Sequence, residues 1–183
     1  MDDSHLMIHP TPRPQAQRLG FTLIELLVVI SIIAVLAGLA FPAVNGAMDS
    51  ARKARAKSDV TQIATAVVAY ETEYGKVPTV SGNSVNSAFL DILTGVNTNA
   101  DANPRKIVFL EVSEWKKGKG GLSSSGFSDP WDSASVYQIA LDTNYDNSVT
   151  AGTNSTNIMK KVAVWNNPTG TTTEKTRRYV TSW

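Results

Sequence analysis

Gly20-Phe21-Thr22-Leu23-Ile24-Glu25, continued by Leu26-Leu27-Val28-Val29-Ile30-Ser31-Ile32-Ile33-Ala34-Val35-Leu36-Ala37-Gly38-Leu39-Ala40-Phe41, is the stretch that decides the fold of this 183-residue chain. From Leu26 to Val44 no residue is charged, and about 20 apolar residues in a helix match the hydrocarbon core of a bilayer. The segment is therefore predicted to sit in a membrane. Glu25 is out of place there, since a charge at membrane depth costs roughly 2.5 kcal/mol or more. One reason for it is local: the helix dipole favours a carboxylate in the first turn, at the headgroup level of a plain signal anchor.

A second reason lies in the order of the residues. Gly20, then Phe21, then Glu25 and an unbroken apolar run resembles the N-terminal processing motif of type IV pilins and type II secretion pseudopilins. The resemblance implies that a prepilin peptidase cuts between Gly20 and Phe21 and methylates the new Phe21 amine. It also implies that Glu25 serves assembly by meeting the free amine of an adjacent protomer. Two opposite charges in an apolar core compensate each other, whereas one alone does not. The partners implied are that peptidase, other pilins or pseudopilins, and an inner-membrane assembly platform. The location implied is the bacterial inner membrane, crossed once, with the head in the periplasm until the subunit is drawn into a filament.

Outward from this stretch, residues 1–20 read as a leader. They are polar, and Pro10, Pro12 and Pro14 preclude a continuous helix. A secretory signal peptide is excluded because the apolar run follows the proposed cut. Met7 is an alternative start to Met1. Residues 21–44 form the membrane and filament-core helix, and Pro42, which lacks a backbone donor, is expected to kink it. Residues 45–74 continue it as an amphipathic helix, because Val60, Ile63, Ala64, Val67, Tyr70 and Tyr74 recur at helical spacing. Glu71 falls inside that stripe, either buried with a partner or snorkelling at its edge, and Gly75 with Lys76-Val77-Pro78 supplies the stop.

Residues 75–183 make up the head. Phe89-Leu90-Asp91-Ile92-Leu93 suits a short helix. Strands are expected at Lys106–Val112, Val136–Leu141 and Lys161–Trp165, with a last one at Tyr179–Trp183. The fold class is thus α+β: a long N-terminal helix, half membrane and half amphipathic, packed on a small antiparallel sheet.

Composition narrows the function. Seventeen basic residues face sixteen acidic ones, so bulk electrostatic binding of nucleic acid is not indicated. There is no Cys, and the two histidines, His5 and His9, lie in the leader. A chain starting at Phe21 has neither residue, which removes Ser-His-Asp and Cys-His catalysis and ordinary zinc sites. Ser113-Glu114-Trp115-Lys116 fits an S-x-x-K pattern, but so does Ser50-Ala51-Arg52-Lys53, and the companion motifs are absent. Lys116-Lys117-Gly118-Lys119-Gly120-Gly121 lacks the Ser or Thr of a phosphate-binding loop and reads as a solvated basic loop. The chain is not expected to be an enzyme.

Calcium is the one cofactor to consider. Asp129-Pro130-Trp131 and the strands after it loosely resemble the C-terminal domain of the major pseudopilin, which carries calcium between its last two strands. The matching loop here, residues 166–178, has a single acid and two arginines, so that site is expected to be lost. A second candidate is Asp142-Thr143-Asn144-Tyr145-Asp146-Asn147-Ser148. Oxygens on Asp142, Asn144, Asp146 and Ser148 match the first half of an EF-hand-type loop, with Asn147 in place of the turn glycine and Thr153 in place of the bidentate Glu. The competing reading is an Asx-rich turn between strands.

Orientation is contested within the sequence. Arg52, Lys53, Arg55 and Lys57 follow the apolar run against Arg13 and Arg18 before it. The positive-inside bias would keep the head in the cytoplasm. The resemblance implies the reverse, and it is preferred because the leader is cut on the cytoplasmic side in that family. The expectation is a prepilin-like structural subunit of a type II secretion pseudopilus. Alternatives are a type IV pilin or competence-type pseudopilin, and a signal-anchored module that never polymerises.

Overall fold

The structure is a computed structural model that describes residues 20–79, 81–96 and 102–183. The expected leader falls almost entirely outside these residues. Two compact units divide the chain, Met1–Val44 and Asn45–Trp183. Helix α1, Leu23–Tyr74, contributes residues to both, and its helical backbone continues through Pro42.

In the first unit α1 is apolar on every side. Leu23, Ile30, Leu36 and Phe41 are all exposed, and its most apolar 18-residue stretch has no buried residue. Apolar side chains all round a helix bury against something outside the chain or against lipid.

In the second unit α1 changes character. Ala56, Val60, Ile63, Val67 and Tyr70 return every three or four residues and are buried, which places them on one face. The core forms over that face. Val85, Phe89, Leu90, Leu93, Phe127, Tyr137, Ile139 and Val164 join it. Tyr70, Tyr74 and Phe109 meet ring to ring, with centroids 4.7–6.1 Å apart. At Gly75 the backbone turns left-handed (φ +68°), and its N–H bonds the Glu71 carbonyl at 2.8 Å, ending the helix where the sequence places the stop.

Helix α2, Ser87–Thr94, covers the expected apolar knot. Asn86 caps it by accepting the Phe89 N–H at 2.9 Å, and Gly95 closes it with φ +71°. A Cβ at Gly95 would lie 2.7 Å from the Lys106 carbonyl oxygen, so that close approach needs glycine.

Among the described residues the strands form three two-stranded antiparallel pieces. β1 (Gly121–Ser123) pairs with β2 (Gly126–Ser128). β3 (Gln138–Leu141) pairs with β6 (Val162–Trp165), Gln138 opposite Trp165 and Leu141 opposite Val162. β4 (Val149–Ala151) pairs with β5 (Thr156–Ile158). Val149, Ala151, Ala163 and Trp165 make a second, smaller core. Residues 83–85 bridge the pieces: the Val85 N–H bonds the Tyr137 carbonyl, and the Val85 carbonyl takes the Phe127 N–H.

Three expectations need correction. Residues 106–112 are not a strand. The Phe109 and Leu110 N–H groups both donate to the Leu93 carbonyl, at 2.8 and 3.1 Å, so this backbone satisfies the end of α2 instead of a ladder. Residues 179–183 meet β6 through a single bridge, Thr181 opposite Trp165. The proposed loop at 166–178 contains a third helix, α3, Thr172–Arg178. Its start is a capping box: the Thr171 hydroxyl accepts the Glu174 N–H, and Glu174 accepts the Thr171 N–H. The loop's single acid is thereby engaged at the helix start.

Candidate functional site

The first site residues stand at the start of α1. Gly20 and Phe21 are exposed, Phe21 to 79%. Thr22 and Glu25 reproduce the reciprocal pattern seen at α3. Glu25 Oε2 accepts the Thr22 N–H at 2.8 Å and the Thr22 hydroxyl at 2.5 Å, while the Thr22 oxygen faces the Glu25 N–H at 3.3 Å. Glu25 is thus held by its own helix end, which favours a negative charge. Oε1 carries no hydrogen bond among the described residues.

Behind this start lies the run of exposed apolar side chains, the one described helix long and apolar enough to cross a membrane. Chemically this end of the chain offers an exposed Gly20–Phe21 junction, a carboxylate held at the helix start, and a run of exposed apolar side chains.

The second unit holds carboxylates of another kind. Asp59, on the buried side of α1, is 1% exposed. Its Oδ2 accepts the Tyr137 hydroxyl at 3.1 Å, and Arg55 Nε lies 3.1 Å from Oδ1 without hydrogen-bond geometry. Burial pushes the Asp59 carboxyl up to about 6 against the pull of the Arg55 guanidinium and the Tyr137 hydroxyl. Asp129, fully buried, is also raised by burial. It accepts the Trp131 and Asp132 N–H groups at 3.0 Å each and the Ser135 hydroxyl at 2.8 Å. These two carboxylates raise the Tyr137 hydroxyl further, beyond the effect of its own burial. The cluster ties α1 to the head. Sequence reading passed over Asp59, although its spacing from Ala56 and Ile63 places it on the buried face. Glu71 pairs across the head with Lys161 Nζ at 2.8 Å.

The Asp142 loop joins β3 to β4, and hydrogen bonds within it link Asp142, Asn144, Asp146 and Ser148. Asp142 is buried, and its two oxygens accept the Asp146 N–H at 3.1 Å and the Asn147 N–H at 2.7 Å. Asp146 accepts the Asn144 amide and the Ser148 N–H, each at 2.8 Å. Tyr145 and Asn147 both take positive φ. A hard cation there would draw on the same oxygens that these N–H groups already use.

Residues 16–41 match the family defined by the prokaryotic N-terminal methylation motif. The chain carries that motif, and the match spans the junction, Glu25 and most of the apolar run. More particularly, the chain is similar to two kinds of protein. Over 67 residues, 37% of this chain, it is 39% identical to the type II secretion system core protein G of Klebsiella michiganensis, 46% of which is covered. Over 106 residues, 58% of this chain, it is 32% identical to the type IV major alpha-pilin of Moraxella bovis, 66% of which is covered. The chain thus spans between about half and two thirds of these relatives. The resemblance to type IV pilins and pseudopilins stands on both. No solved structure matches the chain.

Proposed function

We propose that the chain is a prepilin-like structural subunit of a type II secretion pseudopilus. It is cut between Gly20 and Phe21 by a prepilin peptidase and methylated on the Phe21 amine. It is stored as a single-pass membrane protein with its head in the periplasm. An inner-membrane assembly platform then draws residues 21–44 into a filament of like subunits, with Glu25 setting the register. It performs no covalent chemistry of its own.

The observation that carries this reading is an N-terminal methylation motif joined to a helix whose apolar side chains are exposed all round. A helix of that kind is covered by lipid in storage and by copies of itself in a filament. The 39% identity to a type II secretion core protein favours secretion. A second reading, a type IV pilin or competence-type pseudopilin, is favoured by the longer reach of the pilin similarity.

The mass of the N-terminal peptide of the membrane-extracted protein tests processing. A peptide beginning at methylated Phe21 is expected, and one beginning at Met1 or Met7 overturns the proposal in favour of a signal-anchored module. Deletion separates the two filament readings: loss of secreted proteins supports secretion, while loss of surface fibres, motility or transformation supports the pilus.

A further inference from the structure

Two basic groups that the sequence keeps far apart both belong to the second unit. Arg52, Lys53, Arg55 and Lys57 lie on α1, and Lys175, Arg177 and Arg178 lie on α3. Arg177 Nη2 reaches Asp49 Oδ2 at 2.8 Å and so fastens α3 beside α1. Between them is a pocket of about 190 Å³, lined by Lys53, Arg177, Arg178, Trp131 and Asp49, with Gly46 and Ser50.

The lining is rich in donors and short of acceptors. Three cations face one carboxylate, Asp49, which is already shared between Arg177 and Arg52. Glu174 is engaged by Thr171 and by Arg178 Nη2 at 3.1 Å. Lys53 makes no ion pair among the described residues. Two further N–H groups, Trp131 Nε1 and Arg178 Nε, are closed off from solvent and have no acceptor there. A buried donor without an acceptor is costly, and a ligand oxygen about which this wall adjusts would supply one. Cations with several N–H donors suit a phosphate, which has strong acceptor oxygens and negative charge.

The place in the chain indicates where the phosphate comes from. The uncharged run ends at Val44, and the pocket residues begin at Gly46. Basic side chains just beyond a membrane segment are drawn to anionic headgroups.

We propose that this pocket binds a phosphate group, supplied by the headgroup of an anionic phospholipid beside the membrane segment. The inference rests on the membrane-anchored reading for its source of phosphate and on the pocket alone for its chemistry. A lipid held there would steady the head while the subunit waits in the bilayer, and entry into a filament would require its release.

The test uses the full chain in neutral maltoside micelles at constant ionic strength. Its thermal midpoint is followed while dihexanoyl phosphatidylglycerol or inorganic phosphate is titrated in. A saturable rise with phosphatidylglycerol is expected, with inorganic phosphate at least tenfold weaker. Lys53→Gln is expected to weaken phosphatidylglycerol about tenfold. Trp131→Phe, which keeps the ring and removes the N–H, is expected to weaken it severalfold. An equal response to inorganic phosphate overturns the lipid source and keeps the phosphate site. No saturable response, or one unchanged in both variants, overturns the site. Alkaline extraction of native membranes reports on the anchor separately, so failure of the anchor and failure of the pocket are distinguishable.

Discussion

One helix carries two kinds of apolar surface, and each contains one carboxylate where none is expected. Between Leu23 and Phe41 the apolar residues run all round α1, and nothing among the described residues covers them. Between Ala56 and Tyr70 they keep to one face, and the head covers them. Period therefore tells who the partner is: a stripe is answered within the chain, and a full ring is answered from outside it. The carboxylates follow suit. Asp59 finds Arg55 and Tyr137 in the second unit, while among the described residues Glu25 finds only Thr22 of its own helix end and keeps one oxygen open.

Glu25→Gln breaks the comparison most sharply. Gln serves a capping box as Glu does, so α1 should start unchanged by circular dichroism. Cysteines placed at Val28 and Leu36 in this otherwise cysteine-free chain should crosslink into an oligomer ladder that Glu25→Gln abolishes. A ladder that survives would reduce Glu25 to a cap.

The next largest effect contrasts two isoleucines. Ile63→Ala, in the covered stripe, should cost the head about 2–5 kcal/mol in urea unfolding. Ile33→Ala, in the uncovered ring, should change head stability by less than about 0.5 kcal/mol. Equal costs would mean that the ring is covered by the chain after all.

Asp59 sharpens the comparison through pH. Its carboxyl is raised from 3.8 to about 6 in the fold, so the folded state binds the proton more tightly than the unfolded one. The resulting stability is full below pH 4 and is lost as pH rises through 6. The shift corresponds to about 2–3 kcal/mol. Unfolding measured from pH 4 to 7.5 should show this decline, and Asp59→Asn should flatten most of it. The part that remains has the same sign and belongs to Asp129, which burial also raises.

The smallest effect concerns a third way to satisfy a carboxylate. Asp142 is held by loop N–H groups, where Asp59 has an arginine and Glu25 a helix end. A chelator should leave the melting midpoint within about 1 °C, since calcium stabilises only by binding the folded state. A drop of several degrees that Asp142→Asn removes would establish calcium in the loop.

Those elements whose side chains and backbone agree are the ones legible in the sequence. The Gly20 to Phe41 stretch reads as one apolar helix, and the Val60 to Tyr74 stripe and the Gly75 stop fall where the structure has them. The strands expected at Lys161–Trp165 and Val136–Leu141 do pair, over Val162–Trp165 and Gln138–Leu141. Residues 106–112 mislead because strand propensity describes the side chains, whereas the Phe109 and Leu110 N–H groups are spent on Leu93. β1 and β2 are poor in strand formers and are placed by their neighbours, with Gly126 close beneath the Val85 carbonyl. Helix α3 carried its signal openly in Thr171-Thr172-Thr173-Glu174, which the comparison with a calcium loop obscured. The joining of Asp49 to Arg177 lies beyond any local pattern, because only the tertiary fold brings those residues together.

The stripe on α1 also has a mechanical meaning. Val60, Ile63, Val67 and Tyr70, the Asp59 bond to Tyr137, the Lys57 bond to the Thr181 carbonyl and the Glu71 pair with Lys161 are spread along the same length of rod. A pull along the axis of that rod loads them side by side, so they share the force and yield together. A pull across it peels them one after another. The head is therefore fastened to resist traction along its helix, and the lifetime of that grip under load is set by how fast the whole row opens.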